Sequence, residues 1–158
     1  MTNIHRTGPV MPKQFPVKLT LNVKTNDIAV GNLVAFESGK IVPADVFPFT
    51  VDIATTRLAF AAAFAGIASG ASDKDLPLDT RDENVLVTQD GEIEFDAAAD
   101  TYLVGDLLTV KKAVGNALTH TVEKSVIATA SIAIVSITTA AGATRVRGYL
   151  QKTLPKRV

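Results

Sequence analysis

The chain has no cysteine and no tryptophan, and its histidines are reduced to two, His5 and His120. Without cysteine there is no disulfide scaffold, no thiolate metal site and no cysteine nucleophile. Aromatic residues make up 6% of the sequence, so the core has to come from the Val, Ile, Leu and Ala that dominate a hydrophobic content of 47%. Neither a Gly-x-Ser-x-Gly elbow nor a Gly-Lys-Ser/Thr phosphate loop is present. The opening residues Met1-Thr2-Asn3-Ile4-His5-Arg6 lead into no apolar run, and there is no Asn-x-Ser/Thr acceptor. A protein made in the cytoplasm is expected. A single domain of 158 residues can bury about 70% of its unfolded surface.

Net charge is missing too, since 16 bases cancel 16 acids, but the charges are not mixed. Residues 73–106 hold eleven acids against Lys74 and Arg81 alone, a net of −9. Residues 1–24 have four bases and no acid, and residues 145–158 have five bases and no acid. Such asymmetry points either to ends that bind something acidic, nucleic acid or the middle of a neighbouring copy, or to ends that fold back onto their own middle.

One stretch is used twice. Ile28-Ala29-Val30-Gly31-Asn32-Leu33-Val34-Ala35-Phe36 returns 74 residues later as Tyr102-Leu103-Val104-Gly105-Asp106-Leu107-Leu108-Thr109-Val110. Val, Gly and Leu recur at matched positions, and Asn32 is answered by Asp106. A Gly followed by Asn or Asp turns the chain sharply into a strand, because Gly reaches positive φ and the short polar side chain bonds nearby backbone. Each copy then meets a second turn, Ser38-Gly39 or Gly115-Asn116, and another strand-like piece. The alternative is two ordinary β-hairpins that match by chance.

The remaining segments also read as short strands. Residues 1–16, with Gly8, Pro9, Pro12 and Pro16, suggest an extended arm outside the core. Residues 17–24 alternate apolar and polar side chains, the period of a half-buried strand. Residues 58–68 carry alanines that favour helix, with Asp52 or Thr55 as its cap; the spacing predicts a helical turn over 55–61 and a strand over 64–69. Residues 85–88 and 92–95 flank Gln89-Asp90-Gly91, a hairpin signal, with Ile93 and Phe95 inward and Glu92 and Glu94 outward. Residues 126–137 and 144–150 supply the last strands, Arg145, Arg147 and Tyr149 facing away from Val146 and Leu150. The uncharged stretch 125–144 is long enough for a membrane span, yet its Ser, Thr and β-branched residues fit strands better. The expected fold is mainly β, a small barrel or sandwich of short antiparallel strands. Residues 1–16 form the arm, 17–150 a single β domain and 151–158 a basic tail.

No constellation in the sequence carries chemistry. His120 sits at a strand position among threonines; a Ser-His-Asp arrangement on it is arithmetically possible, but a lone strand histidine is most often a surface or satisfied residue. Asp73, Asp75 and Asp79 have the look of a calcium loop, but Pro77 and Leu78 take the places of a ligand and the loop Gly, and no Glu ends the frame. Single-stranded nucleic acid needs stacking aromatics among the bases, and the basic stretch 145–152 offers one Tyr. No catalytic, metal or cofactor residue is assigned, and no nucleic-acid, membrane or small-molecule partner is expected.

The Val-Gly-Asp/Asn-Leu-Val hairpin, its Gly39-Lys40-Ile41-Val42-Pro43-Ala44 continuation, and Phe64-Ala65-Gly66-Ile67-Ala68 ahead of the Asp90-Gly91 turn together resemble the head decoration, or capsid cement, proteins of tailed bacteriophages. The likeness spans about residues 28–135. It implies a non-enzymatic virion protein that sits on the capsid exterior, binds the major capsid protein shell and copies of itself as a homotrimer, and braces the shell. The Pro-rich arm departs from that pattern. The alternatives are a ligand- or glycan-binding β module, such as a head-fibre or adhesin piece, and a small hydrolase.

Overall fold

The computed structural model describes residues 4–5, 13–16, 27–72 and 84–151. The strand expected over 17–24, the acidic run 73–83 with its Asp73, Asp75 and Asp79, and the tail beyond Gln151 lie outside the described residues.

The fold is mainly β. Its strands are β1 (Ile4–His5), β2 (Lys13–Pro16), β3 (Leu33–Glu37), β4 (Lys40–Pro43), β5 (Phe64–Ala68), β6 (Asn84–Thr88), β7 (Glu92–Asp100), β8 (Leu107–Lys112), β9 (Leu118–Ser125), β10 (Ala133–Val135) and β11 (Ala143–Leu150). One helix, α1 (Ile53–Ala63), and two short 3₁₀ turns, at Ala44–Val46 and Ala128–Ala130, complete it.

The strands form two five-stranded units with the same order. The first runs β2-β6-β5-β3-β4 and the second β7-β11-β10-β8-β9. In the second, a parallel pairing of Ala97 with Val122 joins β7 to β9 and closes the sheet into a barrel. β1 adds to the outer edge of β7. The correspondence holds at single residues, with Phe15 opposite Val85 in one unit and Phe95 opposite Val146 in the other.

The repeated motif opens β3 and β8, and both turns are built alike. Asn32 N–H donates to the Ala29 carbonyl and its Oδ1 accepts from Ala29 N–H, at 3.1 and 2.8 Å. Asp106 does the same with Leu103, at 2.9 and 2.9 Å. Gly31 and Gly105 sit at φ +90° and +93°, which the third residue of such a turn requires. Each Gly N–H then donates across to the next strand, to Ala68 or Val135, whose own N–H returns to Asn32 or Asp106. The internal repeat therefore extends from nine residues to whole five-stranded units.

Alternation along β3 buries both faces of the first sheet. Leu33 and Ala35 enter a large core shared with the barrel, while Val34 and Ile41 enter a smaller one closed by Phe15 and Phe36. In the barrel, Ile93, Phe95, Leu108, Val110, Val122 and Val146 are buried. Helix α1 joins the large core through Phe60, which packs edge-on to Phe47 at 5.2 Å. Full burial of one such ring contributes on the order of 2 kcal/mol. Asp52 caps the helix as expected, accepting from Thr55 N–H at 2.7 Å, and that bond holds its carboxyl below the usual range. The helix is longer than the turn expected over 55–61, and a strand follows it at Phe64.

Three expectations are corrected. Residues 85–88 and 92–95 do not form a hairpin: both edges of β6 are already taken by β5 and β2, so the chain crosses at Asp90-Gly91 into the second unit. Residues 126–137 are not one strand but a 3₁₀ turn followed by the short β10. The arm is extended, but its described residues are not outside the fold, since Ile4–His5 pair with β7 and Lys13–Pro16 with β6. Pro16 is tolerated because it ends an edge strand, where a missing N–H costs little.

Candidate functional site

Antiparallel pairing of β7 with β11 sets acids against bases on the outer face of the barrel. Arg145 lies opposite Asp96 and Arg147 opposite Glu94, because on each strand alternate residues share a face. Arg145 Nε is 2.8 Å from Glu94 Oε1 and its Nη1 is 3.2 Å from Asp96 Oδ1. Arg147 Nε is held less closely, 3.9 Å from Glu94 Oε2, and that side chain is 42% exposed. Glu94 is covered, with 14% of its side chain exposed, and the neighbouring Glu92 is buried and accepts the Ser136 hydroxyl at 2.5 Å. Glu92 and Glu94 point outward, opposite Ile93 and Phe95, as expected, but they are not open to solvent: β11 and the residues after β10 cover them. Bases of the C-terminal segment here neutralise acids of the middle within one chain.

Beside this cluster runs an open groove of about 390 Å³, lined by Glu94, Ile137, Thr139, Arg145, Val146 and Arg147. None of these lining residues is aromatic. Glu94 and Asp96 face Arg145 and Arg147 across the strands, so the cluster as a whole is balanced, and the groove's lining has no nucleophile with a neighbouring base.

His120 lies on β9, at the seam between the units. Its Nδ1 accepts from Leu33 N–H at 3.2 Å, so the neutral ring carries its proton on Nε2, which faces Asp45 Oδ1 at 3.4 Å. The ring nitrogens are occupied in joining β3 and the turn after β4 to the barrel. This is the satisfied strand histidine of the two readings. Arg57 of α1 makes a similar strut, donating from Nε to the Val110 carbonyl at 2.9 Å and pairing with Glu123.

A third polar cluster braces the turn between β7 and β8, where the second copy of the motif lies. Lys124 Nζ lies 3.6 Å from both Asp100 and Asp106 and 5.6 Å from the Tyr102 ring centre. The Tyr102 hydroxyl donates to the Ala98 carbonyl at 2.5 Å. Burial, and then the charges of Asp100 and Glu123, push this phenol up to about 12. Tyr102 occupies the place that Ile28 holds in the first unit.

Among the described residues, no group of three or more His, Cys, Asp or Glu could hold a metal ion, and no helix is long and apolar enough to cross a membrane. Sequence reasoning missed the Glu94–Asp96–Arg145–Arg147 cluster. Its signal was present as opposite charges at every second residue of two strands, but only the strand order makes those strands neighbours. No family model and no curated protein sequence matches the chain.

Proposed function

We propose that this chain is a structural virion protein that decorates a tailed-phage head, binding the outer surface of the major capsid protein shell and stabilising it alongside further copies of itself. The observation that carries the reading is the Val-Gly-Asn/Asp strand-turn-strand motif, on which the family resemblance rests, built alike at the start of the second strand of both units. Supporting it, the polar clusters of the described residues act as struts between strands, not as reaction centres. Residues from the N-terminal arm are laced into both sheets, which suits a brace that has to resist load. A glycan-binding role draws less support, because the groove offers no ring on which a sugar could stack.

The test is direct. Shells assembled from the major capsid protein of the genome that encodes this chain are incubated with the purified protein and imaged by cryo-microscopy. Ordered density on the outer surface and a raised disruption temperature are expected. Bare shells at saturating protein would overturn the reading.

A further inference from the structure

Comparison of the two units shows what His120 replaces. In the barrel, Leu107 begins β8 opposite Ser125 of β9, and the ladder continues with Leu108 opposite Lys124. Leu33 is the matching residue of the first unit, but the β3–β4 ladder stops one residue short of it. Its last pair is Val34 with Pro43, after which the chain turns into the 3₁₀ segment Ala44–Val46. The place that a strand fills beside Leu107 is filled beside Leu33 by an imidazole from the other unit. His120 reaches across the seam and its Nδ1 accepts the Leu33 N–H at 3.2 Å. Leu33 itself is fully buried.

A backbone carbonyl in that place would accept at any pH. An imidazole accepts only while Nδ1 is unprotonated, and imidazolium carries N–H on both nitrogens. Protonation would therefore aim a donor at the Leu33 N–H and leave that buried donor without its acceptor, which costs more than the bond is worth when made. The new charge on Nε2 faces Asp45 Oδ1 at 3.4 Å, but that carboxylate is 55% exposed and water screens the pair. The other charges on and around β9 are engaged elsewhere. Arg57 pairs with Glu123, Lys124 with Asp100 and Asp106, and Arg145 with Glu94 and Asp96. Lys112 of β8 lies over the Phe49 ring, and its neighbour Lys111 is exposed. Loss of the acceptor outweighs the gain at Asp45.

We infer that His120 is a pH-sensitive latch between the two units, closed while its ring is neutral and released when the ring takes a proton. Imidazoles change charge between about pH 5 and 8, so the latch is closed at the upper end of that range and opens towards the lower. The release is local. The Arg57 strut to the Val110 carbonyl and the apolar core shared by the two units do not depend on this ring. The start of β3 and the adjoining 3₁₀ turn come away from β9, while both sheets keep their ladders. Such a joint works in the same way whatever the protein binds.

Isotope-labelled full-length protein is followed by NMR from about pH 8 down to about pH 5, with the exchange of each amide corrected for its intrinsic rate. At the upper end the ring-nitrogen shifts of His120 are expected to show a bare Nδ1 and a proton on Nε2. On acidification the protection of the Leu33 amide is expected to fall at least ~10-fold, while Val110 and Val122 in the barrel keep theirs. His120→Asn supplies a side-chain oxygen that accepts without titrating, so Leu33 protection in that variant is expected to stay level over the same range. His5 is present in both proteins, which separates its titration from that of His120. Should His120→Asn fail to fold by circular dichroism, the ring shifts and the Leu33 protection of the parent still decide. A proton on Nδ1 at the upper end, Leu33 protection that does not change in the parent, or an equal fall in His120→Asn would each overturn the latch.

Discussion

Replacing Gly66 with alanine tests the path of β5 more sharply than any other single change. Gly66 lies at φ +136°, where an L side chain is strained by about 1–3 kcal/mol. An added Cβ would also stand 2.1 Å from the Thr88 carbonyl oxygen and 3.0 Å from Val87 Cγ1. The oxygen belongs to backbone, so relief means moving β6 by more than an ångström and giving up ladder bonds beside the Ile67–Thr88 pair. Each lost bond costs about 1 kcal/mol. Together these come to roughly 3–5 kcal/mol, a large part of the ~5–15 kcal/mol by which a domain is stable. Gly105→Ala is the control: φ is +93° there, but nothing lies within 4 Å of the added Cβ, so only the conformational cost of about 1–2 kcal/mol applies. Urea unfolding followed by circular dichroism would separate the two, with Gly66→Ala lowering the midpoint at least twice as far. Equal shifts, or a Gly66→Ala midpoint at the parent value, would refute the close approach of β5 to β6.

Glu94→Lys puts an ammonium against Arg145 and Arg147 and is expected to destabilise by about 2 kcal/mol in urea, with the exchange Glu94→Lys/Arg145→Glu recovering part of it; an unchanged midpoint would mean the cluster is solvated. Tyr102, raised from 10.0 to about 12, is expected to give a late ionisation step at 295 nm that Tyr102→Phe removes. Since the folded value lies above the unfolded one, the neutral phenol's contribution to stability is complete below pH ~10 and drains away as pH rises toward 12. A late step that survives in Tyr102→Phe would assign it elsewhere.

The residues themselves determined the mainly β character, the turn at each Val-Gly-Asn/Asp copy, the Asp52 cap and the inward face of Ile93, Phe95 and Val146. Each of these depends on neighbours a few positions away: a positive φ, a side-chain oxygen within reach of its own turn, or a period of two. What tertiary structure decided is which strands meet. Asp90-Gly91 has the local chemistry of a hairpin, yet β6 had no free edge left, so the same turn became the crossing between units. Glu94 reads as a solvent-facing residue until β11 lies beside β7 and sets Arg145 and Arg147 over it. His120 and Leu33 are 87 residues apart, and no local pattern announces that one will accept the other's N–H. The full extent of the duplication was hidden for the same reason. Turn residues are held to type by φ and hydrogen bonding, whereas paired strands need only apolar side chains of fitting volume, so Ile28 and Tyr102, or Leu86 and Arg147, occupy one place without resembling each other.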